Sequence, residues 1–181
     1  MKPIISSYIR VRHPEFFTVG DYSIIDNFCY FSTKVHIGVC SHIASGCSIA
    51  GGLTTMFTLG DFCSLSSGTK IWCTSDSFAD DIITIVPPGM DEIKTHLISG
   101  DVVFDNYTAT GSNTVVMPDN HIPEGTVIGA LSFVPAHFRF QPWSVYAGVP
   151  VRLIKSRNRD TVMEQAKKLH DFIYGKKNEN V

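Results

Sequence analysis

Residues 19–49 have the sequence VGDYSIIDNFCYFSTKVHIGVCSHIASGCSI, which repeats one pattern every six residues. Each sixth position carries an aliphatic or aromatic residue, and the series resumes twice after interruptions, with one weaker member, Thr110. Its members are Val19, Ile25, Phe31, Ile37, Ile43, Ile49, Leu59, Leu65, Ile71, Phe104, Thr110, Val116, Ile122, Ile128 and Val134. Internal repeats of this kind decide the architecture of a chain before local propensity does.

A second series lies four residues after each large position and consists of small or modest residues, such as Ser23, Cys29, Ser41 and Cys47. A period of six is neither the helical period nor simple alternation. It fits short strands joined by tight turns, in which each strand gives one large side chain to the interior. Three such units make one triangular coil, so the pattern predicts an all-β solenoid.

This pattern resembles the hexapeptide-repeat acyltransferases, over residues 19–157. The resemblance implies a left-handed parallel β-helix, and the handedness comes from the resemblance alone, because ordinary parallel crossovers are right-handed. We expect a β-helix acyltransferase domain over residues 1–157, with a protruding loop over residues 77–99 where the period breaks. Residues 158–181 are expected to form a C-terminal helix and tail.

The spacing of apolar residues over 159–174 predicts an amphipathic helix that stops at Gly175. We expect this helix to cover an open end of the coil or to pack on a neighbouring subunit. The preceding segment, PWSVYAGVPVRLI over residues 142–154, resembles the end of the β-helix in the sugar-acetylating branch of the family. Val151 stands where that branch usually has Ala.

The composition excludes several classes of function. The chain has 181 residues, 15 Lys+Arg and 17 Asp+Glu, a net charge of −2 that disfavours nucleic acid as a partner. No apolar run is long enough to span a bilayer, and the first residues lack a signal peptide's apolar core, so we expect a cytoplasmic protein without membrane insertion. The five Cys lack CxxC spacing, and Cys29, Cys47 and Cys63 occupy the small inward position, which favours packing over reactivity.

The family resemblance implies acyl transfer from acetyl-CoA to a hydroxyl or amino group of a sugar. Galactoside-type relatives end a coil with I-Y-T-A-G-H, whose His is the base, and the matching stretch here is IWCTSD, residues 71–76. Asp76 therefore stands in the place of that His. An unperturbed aspartate is a weak base at neutral pH, but it can orient an amine and stabilise its positive charge. The alternative for Asp76 is a carboxylate that caps a turn.

Two histidines are further catalytic candidates, His96 in the loop excursion and His36 on the coil. Counting units places His36 on the face of Asp76, two coils away, at roughly 10 Å. A neighbouring subunit can close that gap, since the family assembly is a homotrimer. The stretch TSDSFADD from residue 74 resembles TDDYSGE in a branch linked to surface-polysaccharide sugars, which suggests a nucleotide-linked sugar substrate for O-antigen or surface-polysaccharide synthesis. For each histidine, a surface role is the competing interpretation.

The resemblance also places CoA in a groove between subunits beside the later coils. The residues expected to line it are Gly111, Gly129, Ala130, Ala147, Gly148 and Pro150. Arg152 and Lys155, together with Arg157, form a basic group suited to the phosphates of CoA.

Two functional hypotheses from other classes of protein remain open. A carbonic-anhydrase branch with a His-ligated zinc uses the same coil, but His36 and His42 are six residues apart and do not match its ligand spacing, so no metal is expected. A non-catalytic β-helix scaffold fits the missing His, and the retained PW…AGVP segment opposes it.

Overall fold

The computed structural model describes residues 1–77, 86, 89–90, 92–93 and 96–175. Short strands alternate with tight turns along most of the chain, a 3-10 helix covers Pro14–Phe16, and one α-helix, α1, covers Arg159–Tyr174. In chain order the strands are β1 Ile4–Ile5, β2 Arg10–Val11, β3 Phe17–Val19, β4 Ile24–Ile25, β5 Tyr30–Phe31, β6 Lys34–Ile37, β7 His42–Ile43, β8 Ser48–Ala50, β9 Met56–Leu59, β10 Ser64–Leu65, β11 Lys70–Trp72, β12 Thr74–Asp76, β13 Leu97–Ser99, β14 Val102–Phe104, β15 Ala109–Thr110, β16 Val115–Val116, β17 Asn120–Ile122, β18 Val127–Ile128, β19 Phe133–Val134, β20 Ser144–Ala147 and β21 Arg152–Ser156.

These strands stack into three parallel sheets, which are the faces of a coil. Face A contains β1-β4-β7-β10-β15-β18-β20, with β21 added antiparallel at its end; face B contains β2-β5-β8-β11-β16-β19, and face C contains β3-β6-β9-β14-β17. The chain passes from face C to face A to face B in each round. The corners between faces are named AB, BC and CA below.

The large residues of the six-residue series form the core, as the sequence predicts. Each is buried except Val19, which is half-buried in the first coil. On face A, Ile25 pairs with Ile43, which pairs with Leu65 in the next coil, so identical positions stack directly. Removing these side chains from water is the main stabilising term of a solenoid.

The small residues of the second series are buried beside the turns, with half-buried Ser75 as the exception. Their short polar side chains bond to backbone carbonyls of the next coil. Ser23 Oγ donates to Gly38 O at 2.7 Å, and Ser41 Oγ donates to Gly60 O at 2.7 Å. A buried carbonyl at a turn needs such a donor, which explains why the position favours Ser, Thr and Cys.

The turns contain a feature that the sequence analysis did not predict. The residue three positions after most of the large residues adopts a left-handed backbone, with φ of 62° at Tyr22 and 64° at Phe28. The exceptions follow the large residues of face B at Phe31, Ile49 and Ile71. Glycine takes this conformation without steric cost, and here Gly46, Gly68 and Gly125 do so. The coil therefore places bulky residues in a conformation that they rarely adopt.

Helix α1 confirms the predicted bounds, but it lies along the CA corner rather than across an end of the coil. Asn158 caps it, since its side chain accepts a hydrogen bond from Thr161 N at 3.1 Å. Near its start, Val162, Ala166 and Leu169 line a small cavity against Phe62 and Tyr107 on the corner. Near its end, Ile173 is buried beside Tyr22 of the first coil. In the part of the chain that the structure describes, no helix has the length and apolar character to cross a membrane.

The predicted loop over residues 77–99 leaves the coil as a two-stranded ribbon. Strands β12 and β13 pair antiparallel, with Asp76 opposite Leu97. The chain then returns to face C as β14. The Asp80–Asp81 and Pro87–Pro88 parts of the predicted loop lie outside the described residues.

Candidate functional site

One column of small residues follows the AB corner. Each member comes directly after the large residue of face A. Its N–H donates to the carbonyl of the residue that precedes the next member, as from Ser66 N to Thr110 O at 3.1 Å and from Gly111 N to Ile128 O at 2.7 Å. The column, called the AB column below, consists of Asp26, Ala44, Ser66, Gly111, Gly129 and Ala147. Because most members are small, the surface along this corner consists largely of backbone atoms.

Close packing requires the glycines of this column. A Cβ added to Gly111 would lie 2.3 Å from Ala130 N, and one added to Gly129 would lie 3.0 Å from Ala147 Cβ. Four of the residues predicted to line a groove, Gly111, Gly129, Ala130 and Ala147, are therefore brought together in adjacent coils. Their role towards CoA stays a prediction.

The C-terminal end of the AB column carries a basic residue. Arg152 on β21 lies opposite Ala147, whereas Lys155 lies opposite Val145, further along face A. Both side chains are exposed. Gly148 has φ of 109°, and its N–H donates to Ser132 Oγ at 3.1 Å, which fixes the turn before Pro150. Arg152, the first residue of the predicted phosphate-binding group, thus lies next to Ala147, the last residue of the AB column.

Arg157 does not belong to that group. Its Nη1 donates to Tyr107 O at 2.5 Å and to Gly125 O at 2.9 Å, and its guanidinium lies 6.0 Å from the ring centre of Trp143. Burial lowers the pKa of Arg157. Because its donors face carbonyls of the CA corner, Arg157 fastens the start of α1 to the coil instead of facing a ligand.

Asp76 ends β12 at the base of the ribbon and is half-buried. A cavity of about 410 Å³ is lined by Trp72, Thr74, Ser75 and Asp76. The expected place of Asp76 on face C, above Thr58, is taken by Val103. Asp76 lies off face C because β12 pairs with β13 and not with a strand of the coil.

His96 lies close to Asp76 along the ribbon, as the sequence suggested. Its carbonyl accepts a hydrogen bond from Ser77 N at 2.8 Å, and Asp76 is the neighbour of Ser77. Side chains alternate along paired strands, so the imidazole of His96 and the carboxylate of Asp76 point to opposite sides of the ribbon. Its catalytic role stays a prediction.

His36 is exposed on face C, where its coil neighbours are Thr18 and Thr58. Its Nδ1 lies 2.9 Å from Thr18 Oγ1. The idea that His36 and Asp76 share a face is wrong, because the ribbon carries Asp76 away. A role for His36 in catalysis therefore needs a neighbouring copy to bring it near a substrate.

Two features of the AB corner were missed in the sequence. Ser66 lies in the AB column directly next to Gly111, and His42 Nε2 lies 2.9 Å from Asp26 Oδ2. His121 forms a similar pair with Asp105 at 2.8 Å. Residues 16 apart are neighbours in adjacent coils, so a search for partners at that separation would have found both His–Asp pairs.

Cys29, Cys47 and Cys63 are buried, as their packing role predicts, whereas Cys40 is half-buried. Cys73 is buried as well, and desolvation raises its pKa to about 12. A hydrogen bond with Cys29, followed by burial, raises the pKa of Cys47. Within the described residues, no three His, Cys, Asp or Glu side chains are grouped to hold a metal ion.

Comparison with known proteins gives consistent relatives, although no family model matches the chain. The dTDP-4-amino-4,6-dideoxy-D-glucose acyltransferase of Escherichia coli is 28% identical over 145 residues, which are 78% of this chain and 72% of that protein. Among solved structures, the N-acyltransferase AntD from Bacillus cereus, in complex with dTDP and 3-hydroxybutyryl-CoA, is 30% identical. That match covers 94% of this chain and 88% of AntD, with a TM-score of 0.82. A maltose O-acetyltransferase from Clostridium difficile, 20% identical with a TM-score of 0.62, shares the fold.

The stacked six-residue units, the ribbon and the single terminal helix define a left-handed parallel β-helix acyltransferase. The chain belongs to the hexapeptide-repeat acyltransferase family, and it is an acyltransferase.

Proposed function

We propose that this enzyme transfers the acyl group of a CoA thioester, such as acetyl-CoA, to the amino group of a nucleotide-linked amino sugar. Support comes from a structure of AntD with dTDP-4-amino-4,6-dideoxyglucose and coenzyme A, which is 30% identical to this chain with a TM-score of 0.84. The single observation that carries the proposal is the AB column, where Ser66 adjoins the glycine-lined wall beside Gly111.

A second observation links Ser66 to Asp76. Solved variants of AntD replace a serine and an aspartate that are ten positions apart. Ser66 and Asp76 have the same separation here. This agreement supports a site that contains both side chains.

The two residues lie at different corners of one chain. Ser66 is on the AB corner, whereas Asp76 follows the BC corner, so the whole of strand β11 on face B lies between them. A whole face of the coil therefore separates the two side chains within one copy. We therefore propose a homotrimer in which the AB corner of one copy faces the ribbon of the next, and each seam contains one site.

The proposed chemistry needs few groups. The Asp76 carboxylate accepts a hydrogen bond from the sugar amine and orients its lone pair towards the thioester carbon. As the C–N bond forms, the Ser66 hydroxyl donates to the carbonyl oxygen, which becomes negatively charged. The C–S bond then breaks, CoA leaves as a thiolate, and the ammonium proton passes through Asp76 to solvent or to the thiolate. The products are an amide and CoA thiol.

The CoA molecule would lie along the later coils. Its pantetheine arm fits a wall without side chains at Gly111 and Gly129, because amide groups of the arm can approach the backbone there. The phosphates would reach Arg152 at the end of the column, since a guanidinium favours phosphate oxygens. Residues 74–81 resemble a branch linked to surface-polysaccharide sugars, and on that ground we propose that the acylated sugar serves a bacterial surface polysaccharide. We also propose that the enzyme acts in the cytoplasm, where nucleotide sugars and acyl-CoA are both present.

Mass spectrometry of products tests the proposal. The purified protein is incubated with acetyl-CoA and dTDP-4-amino-4,6-dideoxyglucose, and the matched control substrate has a hydroxyl in place of the amine. The proposal expects an N-acetylated product and release of one CoA for each sugar. Acetylation of the hydroxyl compound alone would contradict N-acylation, and calorimetry without heat of CoA binding would favour a scaffold.

A further inference from the structure

Two exposed aromatic side chains lie on the AB corner at the N-terminal end of the coil. Tyr8 and Phe28 are 70% and 72% exposed, and their ring centres are 6.4 Å apart. Their ring planes are tilted by 38°, and a backbone hydrogen bond from Phe28 N to Tyr8 O at 2.7 Å joins the two turns that carry them. This pair, the aromatic platform below, lies on the same corner as Ser66.

The conformation of Phe28 makes its exposure unusual. Phe28 has φ of 64°, and the equivalent residues of the next two coils are Gly46 and Gly68. Bulky residues at the same turn position of the CA corner, such as Phe62 and Tyr107, line a cavity together with residues of α1. Among the described residues, no helix covers the AB corner, so Phe28 and, further along, Leu131 are both left-handed and exposed there. Phe28 differs from Leu131 in having a second exposed aromatic ring, that of Tyr8, beside it.

A positive charge lies between the platform and Ser66. Lys70 Nζ donates to Gly46 O at 3.1 Å, so the ammonium is held on the corner one coil beyond Phe28. Among the described residues, no carboxylate lies within salt-bridge distance of Lys70. An ammonium has three donors, and this geometry leaves donors for an anion.

The corner between these groups is open. A Cβ added to Gly46 would have Gly68 N at 4.0 Å as its nearest neighbour. Further on, the Asn113 side chain lies over Gly68, since a Cβ on Gly68 would lie 2.2 Å from Asn113 Oδ1. The trough thus runs about 10 Å, two coil spacings, from Phe28 to Gly68.

We propose that the aromatic platform stacks the base of the nucleotide-linked sugar and that Lys70 binds its diphosphate over Gly46. The order along the corner then matches the order of groups in the substrate: base at Phe28, diphosphate at Lys70, and sugar amine near Ser66. The inference rests on the proposed function, because the acceptor must approach Ser66 from the side opposite CoA.

The polar surroundings favour a pyrimidine base. Asn27, beside Phe28, accepts a hydrogen bond from Ser6 Oγ through Oδ1, so its amide lies at the edge of the platform. An amide can pair with the carbonyl and imide edge of a pyrimidine. The carboxylate of Asp26 is engaged by His42 at 2.9 Å, which reduces its repulsion of a diphosphate.

Calorimetric titration with dTDP alone tests the subsite in the full chain. We expect Phe28→Gly to weaken dTDP binding about tenfold, the usual effect of losing one base–aromatic stack. Lys70→Met should weaken dTDP binding and reduce its dependence on salt. The matched control is Leu131→Gly, which removes a 70% exposed side chain with φ of 56° from the same corner and should leave dTDP affinity unchanged.

Unchanged dTDP affinity in Phe28→Gly overturns the inference. The inference is also overturned if Phe28→Gly changes the oligomeric state in sedimentation experiments but binds dTDP normally. In that case a second copy, and not a nucleotide, would cover the platform. If the wild type acylates a free amino sugar but does not bind dTDP, the subsite is refuted while acyl transfer stands. If it binds dTDP with the expected variant effects but transfers no acyl group, the proposed function fails and the nucleotide subsite remains.

Discussion

The indole ring of Trp143 lies directly over Gly125. A Cβ built on Gly125 would come within 2.4 Å of Trp143 Cδ2 and Cε3, and Gly125 has φ of 72°. Arg157 lies on the same ring and bonds to the Gly125 carbonyl. One glycine therefore makes room for the indole that fastens the last coil to the start of α1.

Gly125→Ala should destabilise the protein more than an ordinary left-handed glycine substitution does. Gly46→Ala is the matched control, because Gly46 also has φ of 72° but has open space around its Cβ position. Both variants carry the backbone cost, and only Gly125→Ala carries the clash, worth about 1–3 kcal/mol. Thermal denaturation should show the difference as about 2–4 °C for each kcal/mol. Equal midpoints would mean that the indole moves aside freely.

The fold could be predicted because the core repeats the same packing along one axis. Each large residue, from Ile25 to Val134, occupies the same interior position, so period alone identifies it. The left-handed turn residues were not predictable, since Tyr22 and Phe28 gave no glycine signal. The position of α1 was not predictable either, because its apolar face fits equally well an end of the coil, a second copy or the aromatic CA corner.

The positions of the residues in the AB column could be predicted from the sequence, whereas the position of the ribbon could not. Gly111, Gly129 and Ala147 follow from the same count that gives the core. Asp76 was found by motif, but its face was wrong because the count continues through a strand that leaves the coil. Ser66 was missed because a serine among glycines and alanines looks like another small residue.

Cys73 gives the protein a defined pH dependence of stability. Burial raises its folded pKa from 9.0 to about 12. Between these values the thiol ionises in the unfolded chain and stays protonated in the folded one. The unfolded state then binds fewer protons, so stability falls as pH rises through this window.

Cys73→Ala removes this dependence. Because it also removes packing, the variant should be less stable by a constant amount between pH 6 and 8. Above pH 9 the gap to the wild type should shrink by up to about 1.4 kcal/mol per pH unit. Urea denaturation at a series of pH values measures the difference in free energy of unfolding between the wild type and the variant. A difference that stays constant up to pH 11 would contradict the burial of this thiol.

Arg152→Ala should weaken CoA binding by about tenfold, since hydrogen bonds to charged groups are strong. Turnover at saturating acyl-CoA should change little, because Arg152 lies at the end of the AB column, away from Ser66. Lys167→Ala, an exposed cation on α1 paired with Asp171, is the control and should leave CoA affinity unchanged. Calorimetric titration with CoA measures the affinity of both variants. An equal loss of CoA affinity in Arg152→Ala and Lys167→Ala would indicate a general effect of charge.

Asp76→Asn should reduce turnover at least about 100-fold, because an amide cannot accept the proton of the attacking amine. The affinity for CoA should remain, since Asp76 lies on the ribbon and not on the AB column. Steady-state kinetics with separate CoA titrations measure both quantities. Normal turnover would remove Asp76 from the mechanism.

Ser66→Ala should also reduce turnover about 100-fold, through loss of the donor to the developing oxyanion. The two inactive variants together test where the site is. If Ser66 and Asp76 act on one substrate from different copies, then unfolding, mixing and refolding Ser66→Ala with Asp76→Asn regenerates intact seams. Random assortment in a cyclic trimer restores about a quarter of the sites, each built from the unmutated Ser66 of one copy and the unmutated Asp76 of another. Each variant refolded alone is the control. If both residues served a site within one chain, every site in the mixture would carry a substitution, and the activity of the mixture would equal the mean of the two inactive variants.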